Sequence, residues 1–112
     1  MYRKPILLLS IALLSACTGT SQQGLDKMQT MMTNRPEIKT EAISLCIEDA
    51  TLSPRSHREG LARLMRVSLA KVPSTFCRRV IGALAAGRLS QADLESVKKG
   101  SPSQNILRVV RG

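Results

Sequence analysis

One histidine, one adjacent pair of carboxylates and an uneven set of arginines carry the chemistry this chain offers. His57 stands in Ser56-His57-Arg58-Glu59, a pattern that opens a helix. At a helix N-terminus the positive end of the macrodipole disfavours the imidazolium, which would leave a neutral base. A hydrolytic triad also needs a nucleophile and an orienting acid. No G-x-S-x-G, Walker loop or H-E-x-x-H accompanies His57, so it reads as an exposed residue in a capping turn. Glu48-Asp49 is the carboxylate pair. Glycosidases set two carboxylates across a cleft, but neighbours on a helix point to different sides. A solvated face is the better reading, and the chain is expected to be non-enzymatic.

The arginines are more informative. Glu37 to Asp49 holds four acids and one base, Lys39, for a net −3. Arg55 to Arg88 holds Arg55, Arg58, Arg63, Arg66, Lys71, Arg78, Arg79 and Arg88 against Glu59, for a net +7. Part of this cancels internally if the acidic helix lies beside the next two, and Glu59 can meet Arg63 at i,i+4. The remainder forms a candidate basic face of Arg58, Arg63, Arg66, Arg78, Arg79 and Arg88. Arginine rather than lysine suits bidentate contact with phosphate or carboxylate. The alternative is a solvated surface that only aids solubility.

The N-terminal residues point to where this face is used. Arg3 and Lys4 precede an apolar run from Ile6 to Leu14, broken only by Ser10. This is the charged and apolar pattern of a bacterial export signal. Roughly ten residues are too few to cross a bilayer, which needs about 20. Leu14-Ser15-Ala16-Cys17 resembles the lipobox of bacterial lipoproteins at all four positions. The resemblance implies a diacylglyceryl thioether on the Cys17 sulfur, removal of residues 1–16, and acylation of the freed amine. Two or three acyl chains, at about 0.8 kcal/mol per buried methylene, anchor a protein nearly permanently. Thr18 follows Cys17 where an Asp would retain the protein in the inner membrane of enteric-type bacteria. That resembles cargo sent on to the outer membrane.

Cleavage would leave 96 residues with a net charge of +7 and Phe76 as the one aromatic side chain. A chain this short buries roughly two-thirds of its unfolded surface, so an aliphatic core is marginal without a staple. With Cys17 taken by lipid, Cys46 and Cys77 remain. The envelope outside the inner membrane is oxidising, and an even pair there is normally bridged. Such a bridge closes a loop of about 31 residues and stabilises by roughly 3–4 kcal/mol in the chain-entropy model. Two buried free thiols are the competing arrangement. Two cysteines and one histidine fall short of a structural zinc site. No cofactor is expected beyond the covalent lipid on Cys17. Nucleic acid is a poor partner in that compartment, and there are no aromatics to stack bases.

Thr18 to Gly24 is small, polar and unpatterned, so residues 17–24 read as lipidated cysteine and tether, and residues 25–112 as the domain. Leu25, Met28 and Met32 share a helical face with Met31 nearby, either as core or as an adaptable methionine surface. Pro36 starts a helix to about Asp49, with Ile38, Ala42, Leu45, Cys46 and Ala50 on one face. Ser56 and Glu59 form a capping box for a helix carrying Leu61, Leu64, Met65, Leu69 and Val72, which Pro73 stops. Ser74 caps the next, with Phe76, Cys77, Val80, Ile81 and Leu84. In it Gly82, Ala83, Ala85, Ala86 and Gly87 allow close approach of a neighbour. Ser90 to Asp93 opens a last short helix, stapled by Leu89 and Leu94 and ended by Gly100. The tail Ile106 to Arg111 is too short to fold alone; it docks on the bundle or leaves an apolar edge for a partner. The expected fold is all-α: a small disulfide-stapled bundle of four or five short helices.

The body is also similar to small exported proteins of alphaproteobacteria. The likeness runs through Phe76-Cys77-Arg78-Arg79, Gly87-Arg88-Leu89-Ser90 with Asp93, and Leu107-Arg108-Val109-Val110-Arg111-Gly112. It covers roughly Cys46 to the end, implies no activity, and supports the Cys46–Cys77 pair. The functional expectation is an outer-membrane lipoprotein that docks its basic face onto an envelope protein assembly. The alternatives are a binder of anionic peptidoglycan, lipopolysaccharide or phospholipid headgroups, and a small regulator of an envelope enzyme.

Overall fold

A computed structural model describes residues 22–112, so the export signal and Cys17 lie outside the described residues. Six α-helices follow in order, with no strand among the described residues. They are α1 (Gln22–Asn34), α2 (Pro36–Thr51), α3 (Arg55–Met65), α4 (Val72–Ala85), α5 (Gln91–Lys98) and α6 (Gln104–Arg111). A single 3-10 turn, Leu69–Lys71, leads into α4. The first helix takes in Gln22 to Gly24, so the polar tether expected to reach Gly24 stops short of it.

The fourth helix is the axis of the bundle, and α1, α2, α3 and α6 all pack against it. It buries Val72, Pro73, Cys77, Ala83 and Leu84. Around these close Leu25 and Met32 from α1, Met65 from α3, Leu89, and Ile106 and Val110 from α6. Apart from the disulfide-bonded Cys77 these are aliphatic or thioether side chains, with Phe76 packed partly buried against them, so the core relies on dispersion and area burial. The staple is present: Cys46 on α2 and Cys77 on α4 are disulfide-bonded with Cα atoms 5.8 Å apart.

Several local expectations give way to stronger constraints. The helix predicted to run to Val72 ends at Met65, where Arg66 turns left-handed at φ 57°. Pro73 then starts a helix instead of stopping one. Its fixed φ and missing N–H suit a first turn, whose amide would have no intrahelical partner. The Ser56–Glu59 capping box does not form. The helix begins two residues earlier, with Pro54 rather than Ser56 at the N-cap, and Glu59 Oε1 accepts from Arg55 Nε at 2.9 Å. Ser74 lies inside α4, and its hydroxyl donates to the Lys71 carbonyl. On α2, Leu45 is 58% exposed, not core. The bridge turns Cys46 toward α4, and a neighbour on a helix is rotated by about 100°. Met28 and Met31 are likewise exposed, while Leu25 and Met32 are buried.

Other local signals are realised. Ser90 Oγ accepts from Asp93 N and Asp93 Oδ2 accepts from Ser90 N, a closed capping box. Leu89 and Leu94 on either side join the core. Gly87 (φ 72°) ends α4, with Arg88 N donating to Ala83 O at 2.8 Å. The positive φ favours glycine there, and a Cβ would sit 2.6 Å from Gln29 Nε2 and displace the end of that side chain. The tail docks: Ser103 caps α6 by accepting from Ile106 N, and Ile106 and Val110 are buried.

Candidate functional site

The fold divides the six arginines expected to form one basic face. Two are used internally. Arg58 is half-buried, and its Nε donates to the Ser53 carbonyl at 3.2 Å, closing the α2–α3 turn. Arg79 is half-buried, and its Nη1 donates to the Val110 carbonyl at the end of α6. The other four, Arg63, Arg66, Arg78 and Arg88, are exposed. No ion pair engages them. The two ion pairs among the described residues are Arg35–Glu37 and Arg55–Glu59, both exposed. The expected pairing of α2 acids with α3 and α4 arginines is therefore absent among the described residues, as is Glu59–Arg63. Exposed pairs contribute about 0–1 kcal/mol, so the two that exist do little to hold the fold.

Arg63 and Arg66 share a cavity of about 410 Å³ with Leu64, Met65 and Arg111. Arg111 is a member that sequence reasoning missed. It belongs to the tail, whose docking the pattern left open. The signal was available: Ser103 at a capping position, followed by apolar residues at 106, 107, 109 and 110, with Arg108 among them and Arg111 after them.

His57 lies in a second cavity, of about 550 Å³, with Cys46, Asp49, Ser53, Arg58, Leu61, Val72 and Phe76 among its walls. Its side chain is exposed and makes no hydrogen bond to Asp49. The two residues in that wall with nucleophile-type side chains are engaged elsewhere. Ser53 Oγ donates to the Ala50 carbonyl at 2.7 Å, and the Cys46 sulfur is bonded to Cys77. Glu48 and Asp49 are both exposed on α2.

The densest polar arrangement is structural. Asp93 Oδ2 accepts from Ser90 N, Ser90 Oγ and Asn105 Nδ2, and Oδ1 accepts from Ser103 Oγ at 2.7 Å. Asn105 also donates to the Arg88 carbonyl. These donors, the Ser90 amide first and then Asn105 and Ser103, lower the Asp93 pKa to about 2. The carboxylate knots α5, α6 and the preceding loop together. Both carboxylate oxygens accept from the chain's own donors.

Among the described residues no three His, Cys, Asp or Glu side chains converge as metal ligands. No helix among them is long and apolar enough to cross a membrane. Comparison of the chain with protein-family models, with curated proteins and with solved structures gives no match.

Proposed function

We propose that this protein is a lipid-anchored accessory of the bacterial outer membrane, held by Cys17, whose helical domain docks onto an envelope protein assembly without catalysis of its own. The observation that carries the reading is the set of exposed guanidinium groups on Arg63, Arg66, Arg78 and Arg88 with no internal ion partner. The bridged Cys46–Cys77 pair suits an oxidising compartment. A protein partner is favoured over an anionic polymer by Leu45 and Leu52. Leu45 lies on α2 and Leu52 seven residues on, at the C-terminal cap of that helix; they are 58% and 83% exposed, beside Glu41 and Glu48. A polymer of sugars or phosphates offers nothing apolar to cover them.

The test is crosslinking in intact cells, with mass spectrometry of what is attached to the tagged protein. One or two discrete envelope proteins are expected, lost when Arg78 and Arg88 become Glu. Crosslinks only to abundant neighbours, with co-sedimentation on peptidoglycan or anionic vesicles, would replace the adaptor reading by polymer or headgroup binding. Cys17→Ser is expected to abolish incorporation of labelled palmitate and to release the protein from membranes.

A further inference from the structure

Arg66 is the one non-glycine residue at positive φ among the described residues. Its amide and that of Val67 both donate to the Ala62 carbonyl, which terminates α3 in a left-handed cap. Glycine is the residue that such a cap favours, because a Cβ is strained there. An arginine at this position is a local conflict, and conflicts of this kind collect at functional sites. Its side chain explains the choice no better by packing, since it is exposed and has no hydrogen-bond or ionic partner. What it does is line the cavity of about 410 Å³ together with Arg63 and Arg111.

We propose that this cavity, between the C-terminal ends of α3 and α6, is a binding site for a phosphate group. Three arginines line it, and none of them takes part in an ion pair. The nearby helix C-termini carry about half an elementary negative charge each. They offset only part of the three cations, so the site keeps a positive charge that suits an anion. A carboxylate is satisfied by a single bidentate arginine, whereas a tetrahedral oxyanion with three or four oxygens uses donors from several directions. Leu64 and Met65 supply an apolar wall that limits competing hydration. Arg63 and Arg66 also belong to the set of exposed arginines offered to a protein partner, whereas Arg78 and Arg88 do not line this cavity, so variants at the two pairs separate phosphate binding from docking.

The experiment uses the purified full chain, labelled with ¹⁵N, and follows the arginine Nε–Hε resonances. Inorganic phosphate and glycerol phosphate are titrated separately, with chloride at matched ionic strength as the control. Saturable shifts are expected at Arg63, Arg66 and Arg111, and not at Arg78 or Arg88. Vesicles containing phosphatidylglycerol separate the sources: competition with glycerol phosphate identifies headgroup capture, and phosphate binding without vesicle binding identifies a soluble phosphate compound. Arg66→Gly is the decisive variant. It is expected to weaken phosphate binding about tenfold, the loss of one charge-assisted contact, while Tm stays level or rises. Arg63→Gln with Arg111→Gln, both exposed positions, removes two such contacts without touching the cap and is expected to weaken binding by more than Arg66→Gly. Equal, non-saturating shifts at every arginine that chloride reproduces would overturn the proposal. So would unchanged phosphate affinity in either variant.

Discussion

Arg79 and Val110 are 31 residues apart in sequence and joined by a single contact: the guanidinium Nη1 donates to the Val110 carbonyl at 2.5 Å. The same guanidinium lies against Gly112, where a Cβ would approach its Cζ to 2.8 Å. A cation at the end of α6 offsets the negative pole of the helix and satisfies a carbonyl left without an intrahelical amide. Arg79→Met keeps the aliphatic stem and removes both effects. It is expected to cost about 1–3 kcal/mol in denaturant unfolding. Amide exchange across α6 should rise well before that of α4. Arg78→Met, one position along and exposed, should leave both readouts unchanged.

The disulfide matters most to α2, which contributes no fully buried residue to the core. Its attachment rests on Cys46–Cys77 and on partly buried Ile38 and Ala42. Replacing both cysteines by Ser or Ala is expected to cost about 3–4 kcal/mol for a closed loop of this length. The Cys46→Ala, Cys77→Ala protein measured beside the oxidised wild type checks it. Reduction of the wild type with dithiothreitol should reproduce the change, with α2 amides losing protection first. Equal loss of protection across all helices would show that the bundle has no weaker layer.

Asp93 sets the acid limb of stability. Its carboxyl is held at about pKa 2, against 3.8 for the free group, by the Ser90 amide and then Asn105 and Ser103. A depressed folded pKa means the contribution is complete above the unfolded value and fades as pH falls from about 4 toward 2. Asp93→Asn should therefore be less stable than wild type at neutral pH, and the gap should narrow across that window. Thermal unfolding at a series of pH values reads it directly. A constant gap would assign the effect to lost hydrogen bonds rather than to ionisation.

The parts of this fold that were legible in sequence are those set by neighbours along the chain. Ser90 with Asp93, and Gly100, each act within one helical turn and sit where their types require, whereas Gly87, read as one of the small residues inside the helix, lies beyond its end. The misread parts depend on competition between neighbours. Glu59 had Ser56, Arg63 and Arg55 in reach, and the helix start two residues earlier gave it to Arg55. Pro73 carries the same local signal as a stop or a start, and only the packing of Val72 into the core decides between them. At the candidate site the type of residue was legible and its placement was not. Nothing local distinguishes Arg79, seated on α6, from Arg78 beside it, and Arg111 joins Arg63 and Arg66 only once the tail docks.

Exposure of α2 gives a prediction that separates surface from core. Leu45 and Leu52 are open to solvent. Leu45→Lys and Leu52→Lys, singly, are expected to change stability by no more than about 0.5 kcal/mol, as exposed substitutions do. Ile38→Lys, about two turns earlier on the same side of α2 and partly buried against the core, should cost several times that. Denaturant midpoints of the three variants rank them. A large loss at Leu45 would mean that the leucine is covered in solution.

Gly82 and Ala83 are neighbours on α4 with opposite requirements. The run of small residues around them suggests one stripe for close helix approach, yet only part of it is in contact. A Cβ added at Gly82 would meet nothing within 4 Å. Ala83 is fully buried in the core cluster. Glycine inside a helix is less favourable than alanine by about 0.5–1 kcal/mol, through backbone entropy. Gly82→Ala should therefore stabilise the protein by about that amount. Ala83→Leu adds volume where the core has none to spare and should destabilise by about 1–3 kcal/mol. Circular dichroism melts of the two variants give opposite signs if only Ala83 faces a neighbour. Destabilisation by Gly82→Ala would mean that a second helix, from a partner or another copy of the chain, reaches that position in solution.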